Sequence, residues 1–594
     1  MTVRSHRWGP ARHVRALAVI GMAAVVLAGC GGLPTPDGVR IDRKVDIGTN
    51  DYDPPDILRV PAQPAPGTGP GQLVEDFLEA ASGQEDDPAV ARDYLAPDTT
   101  WDPAAGTVVY QPDTTGSLTR FRAGPGPNRG TVAVTVHQIA VIEVDGAYRR
   151  SVRDTHLTFG VSRRPGGDWR VSSVPRGTGL VLTDTDVLRD FREATVYRVA
   201  RGRDSFVPEA VELPVPRAAL AGAIVRSMMG PPGDWLAPTV RTLLPTGTHL
   251  ADAVTLVSGT VTVDLSQEAT GLSDADRDLF AGQLAASMRS ISVVTGVRLL
   301  LDGRRALPGD GTLDVTSYAL PGTAPPDGTG VLVKDGRLVA GSGGGGRSTD
   351  DRPEGTLPGA TAALAGERSL AAPALSADGR IAGLRITSAG ADLVTARAGS
   401  AARIGYGPGP LSAPTWVPGI GAAVAVRGGP AKVVVVPARG PAVTAGLGPP
   451  GELPGPIWTI RASPDGARIV AIVGTTHRTL YQGRITVVKG VPTFAAWQAL
   501  GLPPGLTAAD DVGWSDGLDL VVLGHQGIRT VLWTVPLGVS EPTEVTPGRL
   551  PAGVNRIAAA PATPLLVGDG QRIWSLDGDS WRSTGTGSDV CYPR

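Results

Sequence analysis

The stretch SPDGARIVAI, residues 463–472, reads as a tight turn followed by an aliphatic strand. An Asp-Gly pair favours a two-residue hairpin turn, because such a turn needs positive φ at its central residues. Similar stretches are SADGRIAGL at 376–384 and WSDGLDLVVL at 514–523, with looser copies near residues 418 and 563. Successive turns, at residues 378, 418, 465, 516 and 563, are 40, 47, 51 and 47 residues apart. This period predicts blades of a β-propeller.

One blade leaves both faces of its sheet uncovered, so the blades are expected to close into a ring. The predicted all-β propeller domain occupies residues 330–594 and has room for five or six blades. The composition agrees, since 80 glycines and 53 prolines among 594 residues suit many short turns between strands. The formal net charge of −2 argues against a nucleic-acid partner.

Residues 181–320 carry the pattern of a second domain. Leu188, Phe191, Arg192 and Thr195 predict a short helix that leads into a strand, and a helix from Pro216 is expected to stop at Gly230. Ser273 with Asp276 predicts a capping box at the start of another helix. The segments MMGPP, LLPTGTHL, VTVDLS and VRLLLDGR follow in the order and spacing of the GerMN domain, which this region resembles. The resemblance implies an α+β fold.

Residues 71–180 predict an α+β domain that precedes the GerMN-like region. Leu73, Val74, Phe77 and Leu78 recur at helical spacing, and a second helix is expected at 89–95. Strands follow from 131, and Asp145-Gly146 predicts a hairpin turn. Two helices and an antiparallel meander that ends in a Trp-containing strand resemble the NTF2-like fold.

The N-terminus has the parts of a signal peptide. Four arginines precede an uncharged apolar run at 16–28, which at about 13 residues is short of the roughly 20 that span a bilayer. The run ends in VVLAGCGG at 25–32, where Leu27-Ala28-Gly29-Cys30 resembles the bacterial lipobox. The resemblance implies a signal peptide at 1–29 and a diacylglyceryl thioether and an N-acyl group on Cys30. The alternative, a buried cysteine in an ordinary helix, leaves the arginines unexplained. The proline-rich residues 30–70 are expected to form a tether.

A search for chemical sites yields neither a catalytic set nor a cofactor or metal site. The glycine run at 341–346 fits G-x-G-x-x-G, but the segment after it cannot form an apolar helix face, so we interpret it as a linker. The five histidines of the mature chain lack the spacing of metal ligands: His137, His156, His249, His477 and His525. Asp264 is expected to cap the segment after its strand, with contact to a ligand as the alternative. Cys591 is interpreted as an incidental thiol.

The order of lipobox, tether, NTF2-like region, GerMN-like region and propeller resembles the actinobacterial lipoprotein LpqB family. This resemblance implies a non-enzymatic accessory protein of the MtrA–MtrB two-component system. Such a protein would be anchored on the extracytoplasmic face of the cell membrane, bind the sensor kinase MtrB and act in envelope homeostasis and cell division.

Two other functions stay open from the residues alone. A module that binds peptidoglycan or another envelope glycan needs exposed aromatic platforms, for which the propeller tryptophans are the candidates: Trp416, Trp458, Trp514, Trp533, Trp574 and Trp581. A hydrolase at the propeller mouth would be indicated by carboxylates that line one pocket.

Overall fold

The computed structural model describes residues 61–82, 89–112, 118–163, 167–318, 329–342, 364, 367–397, 400–545 and 549–592. The predicted signal peptide at 1–29, Cys30, the tether up to residue 60 and most of the glycine run at 341–346 lie outside these residues. We call residues 61–183 the N-terminal region, 184–318 the middle region and 329–592 the propeller.

The N-terminal region packs two helices on one sheet. The helices are α1 (Pro70–Ala81) and α2 (Ala89–Asp93). The strands are β1 (Thr107–Gln111), β2 (Thr119–Ala123), β3 (Arg129–Ile142), β4 (Tyr148–Arg163), β5 (Trp169–Ser173) and β6 (Leu180–Thr183). Their order is β5-β4-β3-β1-β6, with β2 also paired to β3 and β6 parallel to β1. The apolar face of α1, including Leu73 and Phe77, is buried against this sheet. The predicted α+β class and both helices are confirmed.

The middle region is a second α+β body. Its helices are α3 (Asp184–Asp190), α4 (Leu220–Met229) and α5 (Asp274–Met288). Its strands are β7 (Arg192–Ala200), β8 (Phe206–Leu213), β9 (Val240–Arg241), β10 (Thr255–Val257), β11 (Thr260–Leu265), β12 (Gly296–Leu301), β13 (Arg304–Arg305) and β14 (Thr312–Asp314). They form the sheets β8-β7-β9 and β10-β11-β12-β13, with β14 paired to β12. The Ser273 hydroxyl caps α5 by accepting a hydrogen bond from the backbone of Asp276.

One predicted helix in this region is wrong in its extent. The helix α3 ends at Asp190, and Arg192 and Thr195 already belong to β7. The physical reason is that alternate residues of β7, including Ala194 and Val196, are buried in the core against α4 and α5. Packing of the strand therefore overrides the short helical pattern at 188–195.

The propeller consists, within the described residues, of six sheets. Blade 1 has the order β16-β15-β37 and combines β15 (Thr329–Lys334) and β16 (Arg337–Ser342) with the C-terminal β37 (Ser588–Cys591). Blade 2 contains β17 (Leu370–Leu375), β18 (Ile381–Thr387), β19 (Gly390–Ala396) and β20 (Arg403–Gly409). Blade 3 contains β21 (Thr415–Val417), β22 (Gly421–Ala425), β23 (Val433–Pro437) and β24 (Val443–Thr444).

The remaining three blades repeat the same antiparallel order. Blade 4 contains β25 (Ile457–Ala462), β26 (Arg468–Val473), β27 (Thr479–Val488) and β28 (Val491–Ala499). Blade 5 contains β29 (Ala508–Trp514), β30 (Asp519–Gln526), β31 (Arg529–Pro536) and β32 (Thr543–Glu544). Blade 6 contains β33 (Arg556–Ala558), β34 (Leu566–Gly568), β35 (Arg572–Asp577) and β36 (Ser580–Thr586).

Pairing between the two ends of the domain closes the ring. The innermost strands contact one another in the order β37, β17, β21, β25, β29, β33 and back to β37. Strand β37 lies antiparallel to β15, with Cys591 opposite Val331. All five repeated turns found in the sequence join the first strand of a blade to its second strand. The blade count therefore takes the upper of the two expected values.

Candidate functional site

The propeller has two chemically different faces. In blades 2 to 6 each successive strand lies farther from the centre of the ring, and neighbouring strands are antiparallel. The connections after the first and third strands therefore lie at one face. The loops between the second and third strands lie at the opposite face. We call the former the turn face and the latter the loop face.

The turn face contacts the middle and N-terminal regions. Hydrogen bonds join Arg203 to the Asp465 carbonyl at 2.6 Å, Arg468 to the Pro208 carbonyl at 2.7 Å, Ser540 to the Glu193 carboxylate at 3.1 Å and Arg150 to the Ser540 carbonyl at 3.0 Å. Asp465 belongs to the SPDG turn of blade 4. That turn therefore shapes the blade and also accepts a bond from another region.

A buried ionic group joins the middle region to the N-terminal region. Arg198 is only 3% exposed and donates to Glu209 at 2.9 Å and to Asp145 at 3.3 Å. It also donates to the carbonyl oxygens of Met228 and Gly230. Burial raises the pKa of Glu209 although Arg198 opposes this effect. Because charge in the interior is costly unless it is paired, these contacts restrict the two regions to one arrangement.

A groove of about 440 Å³ lies between the middle region and blade 5 and is lined by four carboxylates, Glu193, Asp516, Asp519 and Glu541. Burial and the neighbouring Asp516 raise the pKa of Asp519 to about 7. One oxygen of Asp516 accepts hydrogen bonds from the backbone N–H groups of Leu518 and Asp519. The Asp516 carboxylate is thus part of the structure of a repeated hairpin turn, and Asp519 is the first residue of β30, directly after that turn.

A smaller cavity of about 60 Å³ lies at the centre of the ring and is lined by the innermost strands. Arg461 and Arg556 face it together with Asp511 and Asp589. Asp511 accepts from Arg461 at 2.9 Å and from the Ile557 backbone at 3.2 Å, so it connects the innermost strands of three blades. Cys591 also lines this cavity from β37.

The propeller tryptophans do not form an exposed row. Trp416, Trp514 and Trp533 are buried, and Trp458, Trp574 and Trp581 are half-buried. The Trp416 and Trp514 indoles donate to carbonyl oxygens of neighbouring blades, of Ala374 and Arg461 respectively. These rings are therefore part of the packing between blades rather than platforms for sugar rings.

The predicted site residues have different outcomes. Cys30, the predicted lipid-attachment residue, lies outside the described residues, and its acylation stays a prediction. The capping role expected of Asp264 is wrong in its partner: its carboxylate accepts from the Gly303 backbone at 3.1 Å, in the turn after β12, and not from the segment that follows its own strand. The reason is that β11 and β12 are parallel neighbours with Asp264 opposite Leu300, which brings the end of β11 beside that turn. Across the described residues no helix is both long enough and apolar enough to cross a membrane. His137 contacts Asp154 and His525 contacts Asp510, and no group that could hold a metal ion occurs within the described part of the chain.

Comparison with known proteins matches all three regions. The model of the lipoprotein LpqB N-terminal domain matches residues 63–188, and that of the lipoprotein LpqB beta-propeller domain matches residues 347–593. Between them, the Germane model, described as sporulation and spore germination, matches residues 195–307. The tandem GerMN domains of the sporulation protein GerM from Bacillus subtilis align at 16% identity over 25% of this chain and 58% of that chain, with a TM-score of 0.19.

Two relatives define how far the similarity extends. Lipoprotein LpqB of Cutibacterium acnes is 30% identical over 342 residues, 55% of this chain and 54% of that protein, so the match spans about half its length. Lipoprotein LpqB of Nocardia farcinica is 26% identical over 610 residues, 96% of this chain and 94% of that protein. The chain is a multidomain protein with an N-terminal domain of the LpqB type, a Germane domain and a C-terminal propeller. It belongs to the lipoprotein LpqB family.

Proposed function

We propose that this chain is a non-enzymatic lipoprotein that modulates the MtrA–MtrB two-component system. It is anchored through Cys30 on the extracytoplasmic face of the cell membrane and binds the extracytoplasmic domain of the sensor kinase MtrB. Through this contact it acts in cell envelope homeostasis and cell division. Membership of the LpqB family and the lipobox around Cys30 support the proposal.

The observation that carries the proposal is the buried contact between the three regions. Arg198 joins the N-terminal and middle regions, and Arg468 joins the middle region to the propeller. A surface that is already ordered loses less conformational entropy when a partner binds. A lipid anchor adds to this effect, since it keeps the surface close to a membrane-embedded partner and raises the effective concentration.

The direct test is binding between the purified full-length mature chain and the MtrB extracytoplasmic domain. We expect saturable binding at micromolar concentration in a pull-down and in surface plasmon resonance. Gly517→Ala, which disturbs the contact between the middle region and the propeller, is expected to weaken it. Failure of the wild-type chain to bind at these concentrations would favour the envelope-glycan function instead.

The anchor has its own test because the chain contains only two cysteines, Cys30 and Cys591. In the native cells, Cys30→Ala is expected to lose the acyl groups and to leave the membrane fraction, as measured by mass spectrometry and fractionation. Cys591→Ala removes the other thiol and is the matched control, which is expected to stay in the membrane fraction. An unmodified, uncleaved N-terminus on the wild-type protein would contradict the anchored location.

A further inference from the structure

A group of four neighbouring arginines extends from the central cavity to the loop face of the propeller. Three of them have a carboxylate partner. Arg461 pairs with Asp511 at 2.9 Å, and Arg556 pairs with Asp589 at 3.3 Å. Arg478 pairs with Asp510. Asp510 also contacts His525 at 2.8 Å. The fourth arginine, Arg427, has no carboxylate partner among the described residues. The group therefore has a surplus of about one positive charge.

The side chain of Arg427 is held by one hydrogen bond and by stacking of its guanidinium on a tryptophan ring. Its Nε donates to the Trp458 carbonyl at 2.7 Å, and its guanidinium carbon lies 4.2 Å from the centre of the Trp458 ring. Arg478 contacts the same ring at 4.6 Å. The two terminal nitrogens of Arg427 have no hydrogen-bond partner in the described part of the chain. Their N–H groups are thus oriented by the protein and left available.

The electrostatic surroundings make this guanidinium unusual. Burial, followed by the positive charges of Arg556 and Arg461, lowers the pKa of Arg427 to about 10. The group stays protonated at neutral pH, but its charge is poorly compensated. An anion placed on its free N–H groups would relieve this, because a guanidinium binds a carboxylate through two parallel hydrogen bonds.

The site is accessible to a partner. Among the described residues, the segments next to Arg427 and Arg478 on this face are exposed, at residues 428–430 and 475–477. All the hydrogen-bond partners of Arg427, Trp458 and Arg478 lie in the propeller. The middle region, which contacts the turn face, contributes none of them.

We infer that the loop face of the propeller is a docking site for an acidic peptide segment of a partner protein, with Arg427 as the residue that binds a carboxylate. A single surplus charge matches a monoanionic carboxylate better than a dianionic phosphate. The inference does not depend on which protein supplies the segment, and it stands apart from the proposed kinase partner.

The test is calorimetric titration of the full-length mature chain with an acetylated and amidated tetraglutamate peptide. We expect saturable binding that weakens as salt is added, with no binding of the corresponding tetraglutamine peptide. Arg427→Gln is expected to weaken binding at least tenfold, and Arg427→Lys to weaken it less, since lysine keeps the charge without the two-pronged geometry.

The matched control is Arg529→Gln, which removes one charge from the loop face in blade 5, where Arg529 is 68% exposed. Binding by this variant is expected to stay within twofold of wild type, and unchanged melting temperatures would show that all variants fold. Equal binding by Arg427→Gln and wild type, equal losses in Arg427→Gln and Arg529→Gln, or tighter binding of inorganic phosphate than of the peptide would each overturn the inference.

Discussion

The two faces of the propeller are built from the same repeated hairpins, yet they satisfy their polar groups in different ways. On the turn face, Arg203 and Arg468 are hydrogen-bonded across the contact with the middle region. In the central cavity and on the loop face, three arginines are paired within the propeller, and the terminal N–H groups of Arg427 have no partner among the described residues. The contact between regions thus supplies hydrogen-bond acceptors to arginines on one face, whereas the arginines of the other face rely on partners within the propeller or, as inferred above, on a bound carboxylate.

Burial near the contacts between regions also changes the protonation of carboxyl groups. Glu212 in the middle region is 1% exposed, and burial together with the nearby Glu193 raises its pKa to about 9. This carboxyl group is therefore neutral at physiological pH. Buried carboxyl groups of the middle region are thus either paired with a cation, as Glu209 is with Arg198, or protonated, as Glu212 is.

The largest expected change in stability comes from breaking the buried ionic group around Arg198. Arg198→Met leaves Glu209 and Asp145 without their shared cation and is expected to lower the free energy of unfolding by about 3–5 kcal/mol. Arg529→Met on the loop face is the control, since its ion pair is exposed and long at 3.6 Å, and a change below about 0.5 kcal/mol is expected. The free energy of unfolding of both variants can be measured by urea denaturation. Equal losses in Arg198→Met and Arg529→Met would contradict the larger contribution expected of the buried ionic group.

A smaller effect is expected from matched glycine substitutions on the two faces. In Gly517→Ala the new Cβ would lie 2.4 Å from the ring of Pro208, across the contact with the middle region. A loss of about 1–3 kcal/mol is expected, with faster proteolysis between the regions. Gly429→Ala, on the loop face, meets nothing within 4 Å. Neither glycine has a positive φ, so backbone strain does not enter the comparison. If Gly429→Ala lost stability and Gly517→Ala did not, the assignment of the turn face as the contact with the middle region would be contradicted.

The smallest effect is on the pH dependence of stability. The pKa of Asp519 is about 7 in the folded protein and 3.8 in a free side chain, so the unfolded chain releases this proton first as the pH rises. Stability from this group is therefore present below about pH 4 and is lost towards pH 7. Asp519→Asn is expected to match wild type near pH 4 and to melt a degree or two higher at pH 8.

The control for this measurement is Asp579→Asn, which changes an exposed aspartate in blade 6. Its melting temperature is expected to follow that of wild type at every pH. If Asp519→Asn also followed wild type from pH 4 to pH 8, ionisation of this half-buried carboxyl group would not destabilise the folded state.

Much of the secondary structure could be predicted because its signals are local. The Asp-Gly turns at 378, 465 and 516 lie between the first two strands of their blades, and Ser273 caps α5 as its spacing indicates. The extent of the helix near Phe191 could not be predicted, because the buried strand β7 depends on packing with α4 and α5. The unpaired state of Arg427 has no sequence signal, since the carboxylates of its neighbours come from other blades.

The sequence by itself determined the repeated hairpins, the order of the three regions and the lipobox, because turn preference, apolar periodicity and a cleavage motif all depend on neighbouring residues. Only the tertiary structure decided that β37 completes blade 1, that Arg198 meets Asp145, and which face of the propeller contacts the other two regions. Those outcomes depend on pairing between segments that are distant along the chain, where burial and charge compensation outweigh local preference.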